Sequence, residues 1–168
     1  MKNRTDLISS VMKAADGEVV GKIRMQKIFY LLEQLGLNAD LTFSYHHYGP
    51  YSEDLARSLD YAEMVEHAIK EEPRDTSSGS TFIAYLLKKD CGAVSHIGEI
   101  EWDKAKSYIS TMKKETSIVI ELAATIHWLR HKEKVEDWKA ELKRRKTSKA
   151  EPALVARAEA LLRGLQLD

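Results

Sequence analysis

The stretch Gly21-Lys22-Ile23-Arg24-Met25-Gln26-Lys27-Ile28-Phe29-Tyr30-Leu31-Leu32-Glu33 sets its apolar residues at the spacing of a helix. Met25, Ile28 and Leu32, with Leu35 just beyond, share one face, and Gly36 is placed to close the helix. The same period extends in both directions. Upstream, Ile8, Val11 and Ala15 form a stripe that Gly17 can end. Downstream, Leu55, Leu59, Ala62 and Val65 follow Ser52, a good N-cap, with Glu53 and Asp54 at the positive end of the helix dipole. The last third adds the stripes Trp102/Ala105/Ile109/Met112, Ile118/Leu122/Ile126/Leu129, Val135/Trp138/Leu142 and Leu154/Ala158/Leu161/Leu165. Pro152 suits the first turn of the final helix. The segment 118–129 is apolar nearly all round, which predicts a helix at the centre of the core. The expected fold is mainly α.

Strand signals are few. Leu41 to Tyr45 alternates and is aromatic, so a short strand is expected there, and Gly49-Pro50 reads as a turn. Residues 71–80 hold Pro73, Gly79 and four Ser/Thr and read as a flexible loop. Phe82 to Leu87 reads as a buried strand, one arm of a hairpin or wing, with Ala93 to Ile97 as candidate partner. Lys143-Arg144-Arg145-Lys146 reads as a basic connector.

The 168 residues suffice for one domain, or one domain with a helical extension. Hydrophobic residues at 43% and charged residues at 31% describe a globular chain. The formal net charge is zero, and the absence of a basic excess argues against a dedicated nucleic-acid protein. Cys91 is the sole cysteine, which excludes an internal disulfide and a cysteine metal cage. Met1-Lys2-Asn3-Arg4-Thr5-Asp6 leads into an amphipathic stretch and not into a signal-peptide core. The apolar run Phe82 to Leu87 is too short to cross a bilayer. A cytoplasmic protein with no membrane partner is expected.

Lys22, Gln26 and Lys27, followed by Tyr45-His46-His47-Tyr48-Gly49-Pro50-Tyr51-Ser52-Glu53-Asp54-Leu55, resemble the signature of SocA-antitoxin-like, Panacea-domain proteins and their YwgA-like members. That signature is a KLQKLLYL-type helix, then a YHxYGPYSxxL turn entering a further helix. Leu122 to Leu129, with the 154–165 helix behind it, resembles the C-terminal half of the YwgA-like members. Residues 67–100 match nothing in that pattern. The resemblance implies a compact helical region over 1–100 with a small winged-helix-like hairpin, and a C-terminal helical region over 101–168 packed on it. It also implies a setting of prophages, toxin–antitoxin pairs or defence systems, with an antitoxin role in the SocA branch.

The candidate chemistry is sparse. The Tyr45 to Ser52 turn either locks two helices together or offers Tyr48 and Tyr51 to a partner. Lys22, Arg24 and Lys27 form a solvated face on the simpler account, or a contact for an acidic partner or phosphate. His127 and His131 have a metal-compatible spacing but lack the glutamate of a zincin, and a core histidine followed by one at a fraying helix end explains them. Ser52 beside His46 and His47 suggests a nucleophile and base, yet an N-cap already accounts for it. Lys143 to Lys149 is short and without aromatics in its own run. No enzyme, metal or cofactor is expected. In a winged-helix-like fold the helix from Ser52 to Glu66 would face DNA. It carries Glu53, Asp54, Asp60, Glu63 and Glu66 against Arg57 alone, a net −4 that repels phosphate. The expected partner is therefore a protein, such as a basic toxin or defence protein, meeting Tyr48, Tyr51, Glu53, Arg57, Asp60 and Glu63. A nucleic-acid-binding regulator is the alternative.

Overall fold

The computed structural model describes residues 4–168. The first three residues, on which part of the signal-peptide reading rests, lie outside the described residues. The chain is mainly helical, with small antiparallel sheets. The N-terminal elements are α1 (Arg4–Ala14), β1 (Glu18–Val20), α2 (Lys22–Leu35), β2 (Ser44–His46), β3 (Gly49–Tyr51) and α3 (Glu53–Met64). The middle holds β4 (Ile69–Asp75), β5 (Thr81–Leu87), β6 (His96–Ile97) and β7 (Ile100–Glu101). The last third holds α4 (Trp102–Lys114), α5 (Ser117–His127), α6 (Trp138–Lys146) and α7 (Pro152–Gly164). A π-helical turn, Trp128–Lys132, continues α5, and a short 3-10 turn, Thr147–Lys149, follows α6.

The helices begin and end for local reasons. Gly36 is left-handed at the C-terminus of α2, and its N–H returns to Glu33 O and Leu32 O. Ser52 Oγ accepts the Leu55 N–H at the start of α3, and Thr116 does the same for α5 through Val119. Most residues of the expected stripes are buried; Leu35, Trp102, Val135, Trp138 and Leu154 are half-buried, and Val65 and Ile118 are exposed. α5 is enclosed on nearly all sides, as its composition predicted, and packs on α2 and α7. Core residues of α1, α2 and α3 join those of α4, α5 and α7 in one apolar cluster.

Residues 71–80, expected as a loop, are mostly strand and hairpin turn. β4 pairs antiparallel with β5 from Ile69–Leu87 to Asp75–Thr81, and β1 pairs along the other side of β5, giving the order β1-β5-β4. Ala93 to Ile97 is not the partner of β5; its end pairs instead with β7. β4 was hidden because Pro73 and five charged residues break the strand pattern. Such residues are tolerated because β4 lies at the sheet edge. In the other hairpin the reversal falls on His47 and Tyr48, so Gly49-Pro50 opens the returning strand and is not itself the turn. Lys143 to Lys146 is the last turn of α6 and not a connector.

Candidate functional site

The β2–β3 hairpin is held by side chains that grip its backbone. Gln26 Nε2 donates to Ser52 O at 3.0 Å, and the Ser52 N–H donates to Gln26 Oε1 at 2.8 Å. Lys27 Nζ donates to Pro50 O at 2.7 Å, and Lys146 Nζ to His47 O at 3.3 Å. Gly49 has φ +93°, and a Cβ there would sit 2.7 Å from Thr125 Oγ1. The position therefore excludes every side chain, on both backbone and packing grounds.

Lys27 is 1% exposed and Gln26 is buried, so the expected solvated face narrows to Lys22. Arg24 is also engaged, donating to Val20 O and Glu115 O. Burial pushes the Lys27 ammonium down to about 8; Lys146 adds to the shift and Glu121 opposes it. Glu121, 2% exposed, bonds Lys146 at 2.9 Å and Lys149 at 3.3 Å. One enclosed carboxylate thus faces several ammonium groups, and removing it would leave buried charge uncompensated. The motif escaped a purely periodic reading. Its available signal was Glu121, the sole formal charge in the α5 sequence SIVIELAATIH.

The outer face of the hairpin is exposed. Tyr48 is 44% exposed, and His46 and His47 are also exposed. His46 stacks near Tyr51 at 4.8 Å and bonds Ser44, while Ser52 is enclosed and engaged as a cap, so no Ser–His couple forms. The basic run is not without aromatics in space: Arg145 lies 4.7 Å and Lys146 5.7 Å from the Tyr45 ring, and Lys149 4.8 Å from that of Tyr48.

Beyond Tyr48, a cavity of about 290 Å³ opens between α2, α3 and the sheet. Ile23, Ala56 and Leu59 give it apolar walls, and Tyr51, Asp60, Glu71 and Tyr85 give it polar ones. Lys22 and Lys27 also line it. Of the expected contact residues, the cavity gathers Tyr48, Tyr51 and Asp60; Glu53 and Arg57 lie outside it. Glu63 takes the Glu71 N–H at 2.5 Å, and Arg57 pairs with Asp54 at 2.9 Å. Glu71 escapes the sequence because it lies in β4, which reads as a loop; Tyr85 lies in an expected strand, but the pairing with β4 that sets it opposite Glu71 is not legible. At the C-terminal end of α3, Tyr61, Met64 and Val65 are exposed apolar neighbours of these acids.

His127 is buried and shares a 2.8 Å hydrogen bond through Nδ1 with the enclosed Tyr30 hydroxyl. Burial, then the charges of His131, Lys132 and Arg130, push its imidazole down to about 4. The exposed His131 ring lies 4.5 Å away in the π-helical turn. Among the described residues no three His, Cys, Asp or Glu side chains converge as a metal site. Among the same residues no helix is long and apolar enough to cross a membrane.

Charge is segregated around the hairpin. Residues 53–72 hold seven Asp/Glu against two Lys/Arg, whereas residues 128–149 hold nine Lys/Arg against four Asp/Glu. The acidic segment packs on α1 and the basic one on α5.

These features define a mainly helical protein with a charge-locked aromatic hairpin between an acidic and a basic segment. No protein-family model matches the chain. It is similar to a Bacillus subtilis protein named "Uncharacterized protein YwgA", with 26% identity over 110 residues, covering 66% of this chain and 65% of that protein. It is also similar to a Thermus aquaticus protein named "DNA ADP-ribosyl glycohydrolase", with 29% identity over 140 residues, covering 76% of this chain and 35% of that protein. The chain thus spans just under two thirds of the first relative and about a third of the second. The first match agrees with the YwgA-like part of the motif resemblance.

Proposed function

We propose that this chain is a non-catalytic protein-binding module of the antitoxin, adaptor or defence-subunit kind, with a basic protein as its partner. The observation that carries the reading is the acidic helix α3, with Glu53 and Asp60 exposed, Asp60 sharing the cavity with Tyr48, and Tyr61, Met64 and Val65 exposed toward its C-terminal end. Exposed apolar groups among acidic side chains, as at Tyr61, Met64 and Val65, suit protein recognition, and the acidic field steers a partner of opposite sign. The order α1-β1-α2-α3-β4-β5, interrupted by the β2–β3 hairpin between α2 and α3, with sheet order β1-β5-β4, supports a winged-helix-like reading of the first hundred residues, with 101–168 packed on it as one unit. In that reading α3 is the recognition element, and its charge suits a DNA-directed protein better than DNA. The name of the Thermus aquaticus relative supports a DNA-related setting. The SocA-like, Panacea and phage-defence assignments belong to the same proposal, as does a cytoplasmic location.

The test is co-purification with the product of the adjacent gene. Glu53→Lys with Asp60→Lys should abolish capture at moderate salt; Glu63 is left intact because it holds the Glu71 N–H. Capture that survives both changes rejects the reading. A nucleic-acid-binding regulator is the second reading, favoured by the cations stacked on Tyr45 and Tyr48. Salt-dependent retention of random duplex DNA by the wild type, lost in Lys143→Glu with Lys149→Glu, would put it first.

A further inference from the structure

The cavity beside the hairpin has a charge state of its own. Asp60 and Glu71 line it, and the carboxylate of Glu63 lies close enough to act on both Glu71 and Tyr85. Neither the Asp60 nor the Glu71 carboxylate makes a hydrogen bond or ion pair among the described residues. Lys22 lines the cavity, is exposed, and its charge acts on Glu71. Lys27 is no counterion for them, because its ammonium is bound to Pro50 O and faces Glu121.

Tyr85 supplies an independent observation. It is 3% exposed and lines the cavity, yet its hydroxyl has no hydrogen-bond partner among the described residues. The hydroxyl oxygen is not itself enclosed, since Arg24 Nε is the one enclosed unpaired side-chain atom among the described residues, so it is open to a group that enters the cavity. Burial and the charges of Glu71, Asp60 and Glu63 push its ionisation up, so it stays a neutral hydroxyl with acceptor lone pairs free. Glu71 is also pushed up, by burial first, with Lys22 opposing the shift and Glu63 and Asp60 adding to it.

We infer that this cavity is a receptor for one arginine side chain, presented by the basic protein partner proposed above. The inference rests on that reading and names its anchor. Ile23, Ala56 and Leu59 would take the aliphatic stem, as long cationic side chains lay their methylenes on apolar surface. The planar guanidinium has five donors, enough to reach Asp60, Glu71 and the Tyr85 hydroxyl together, and it stacks on tyrosine rings such as Tyr51 and Tyr48. Lysine fits less well, being a compact and strongly hydrated charge without a flat face. A phosphate group would meet the two carboxylates at close range.

The test uses the isotope-labelled full chain and N-acetyl-arginine amide, followed by NMR. Saturable shifts are expected at Tyr51, Asp60, Glu71 and Tyr85, with binding at least tenfold weaker for the neutral isostere N-acetyl-citrulline amide. Glu71→Gln should weaken arginine binding about tenfold. Tyr85→Phe should weaken it about fivefold, with the spectrum of each variant showing an intact fold. An equal response to citrulline, non-saturating shifts spread over all acidic residues, or saturable shifts with inorganic phosphate would overturn the inference. Failure here is separable from failure of the protein-partner reading: Glu53→Lys lies outside the cavity, so its effect on co-purification tests the acidic face alone. If the partner still binds to wild type and is lost in Glu53→Lys, but is unaffected by Glu71→Gln and Tyr85→Phe, the surface stands and the arginine receptor falls.

Discussion

Gln26 shows how much one side chain can hold. Its amide makes a reciprocal pair of bonds to the Ser52 backbone, so it fixes the hairpin end and the first turn of α3 at once. Leucine at this position leaves the buried N–H of Ser52 unpaired, at about 1–3 kcal/mol, while the Ser52 C=O keeps the Ala56 N–H. Gln26→Leu is therefore expected to cost about 1–3 kcal/mol. Ser52→Ala removes only the cap bond to Leu55 N–H and should cost about 1 kcal/mol. Urea unfolding of the two variants checks the order; an equal or smaller loss in Gln26→Leu contradicts it. The role of Gln26 and Lys27 was hidden at the level of residue type. Polar side chains at a helix start read as solvated, and only the three-dimensional return of the hairpin shows backbone carbonyls waiting for them.

At the scale of elements, the helical stripes were legible because burial of one face imposes the 3.6-residue period on the sequence. The caps at Ser52 and Gly36 were legible for the same local reason. The β4 strand was not, because an edge strand accepts Pro73 and charges that would be excluded from a central one. The continuation of α5 into a π-helical turn left no mark in the apolar pattern either. That junction carries a pH consequence through His127. Its folded value of about 4 lies below the ordinary 6.5, so the native state holds a neutral imidazole while the unfolded chain takes up the proton first. Its contribution is full above about pH 6.5 and is lost as pH falls toward 4. Between pH 7 and pH 5 the loss should be about 2 kcal/mol. Denaturant titrations at the two pH values should show this slope in the wild type and a flatter one in His127→Gln. An unchanged slope in the variant would place the acid sensitivity elsewhere.

Across the whole molecule, the formal charge of zero conceals a separation of sign, with the acidic 53–72 and basic 128–149 segments flanking the hairpin. Composition alone reports only the sum; the helix sequences hinted at the separation, and the packing of α3 and α6 against different neighbours completes it. A neutral protein with a large permanent dipole has a characteristic solution behaviour. Near its isoelectric point, about 7.0, copies have no net repulsion to keep them apart, and the acidic side of one attracts the basic side of the next. At about 10 mM salt this attraction reaches about 30 Å, and at about 150 mM only about 8 Å. The protein should therefore salt in. At pH 7 its solubility, and its second virial coefficient by light scattering, should rise as salt goes from about 10 to about 150 mM. A fall over that range would mean that apolar contact, and not opposed charge, governs how the molecules meet. Purification in dilute buffer at neutral pH is then the condition most prone to precipitation.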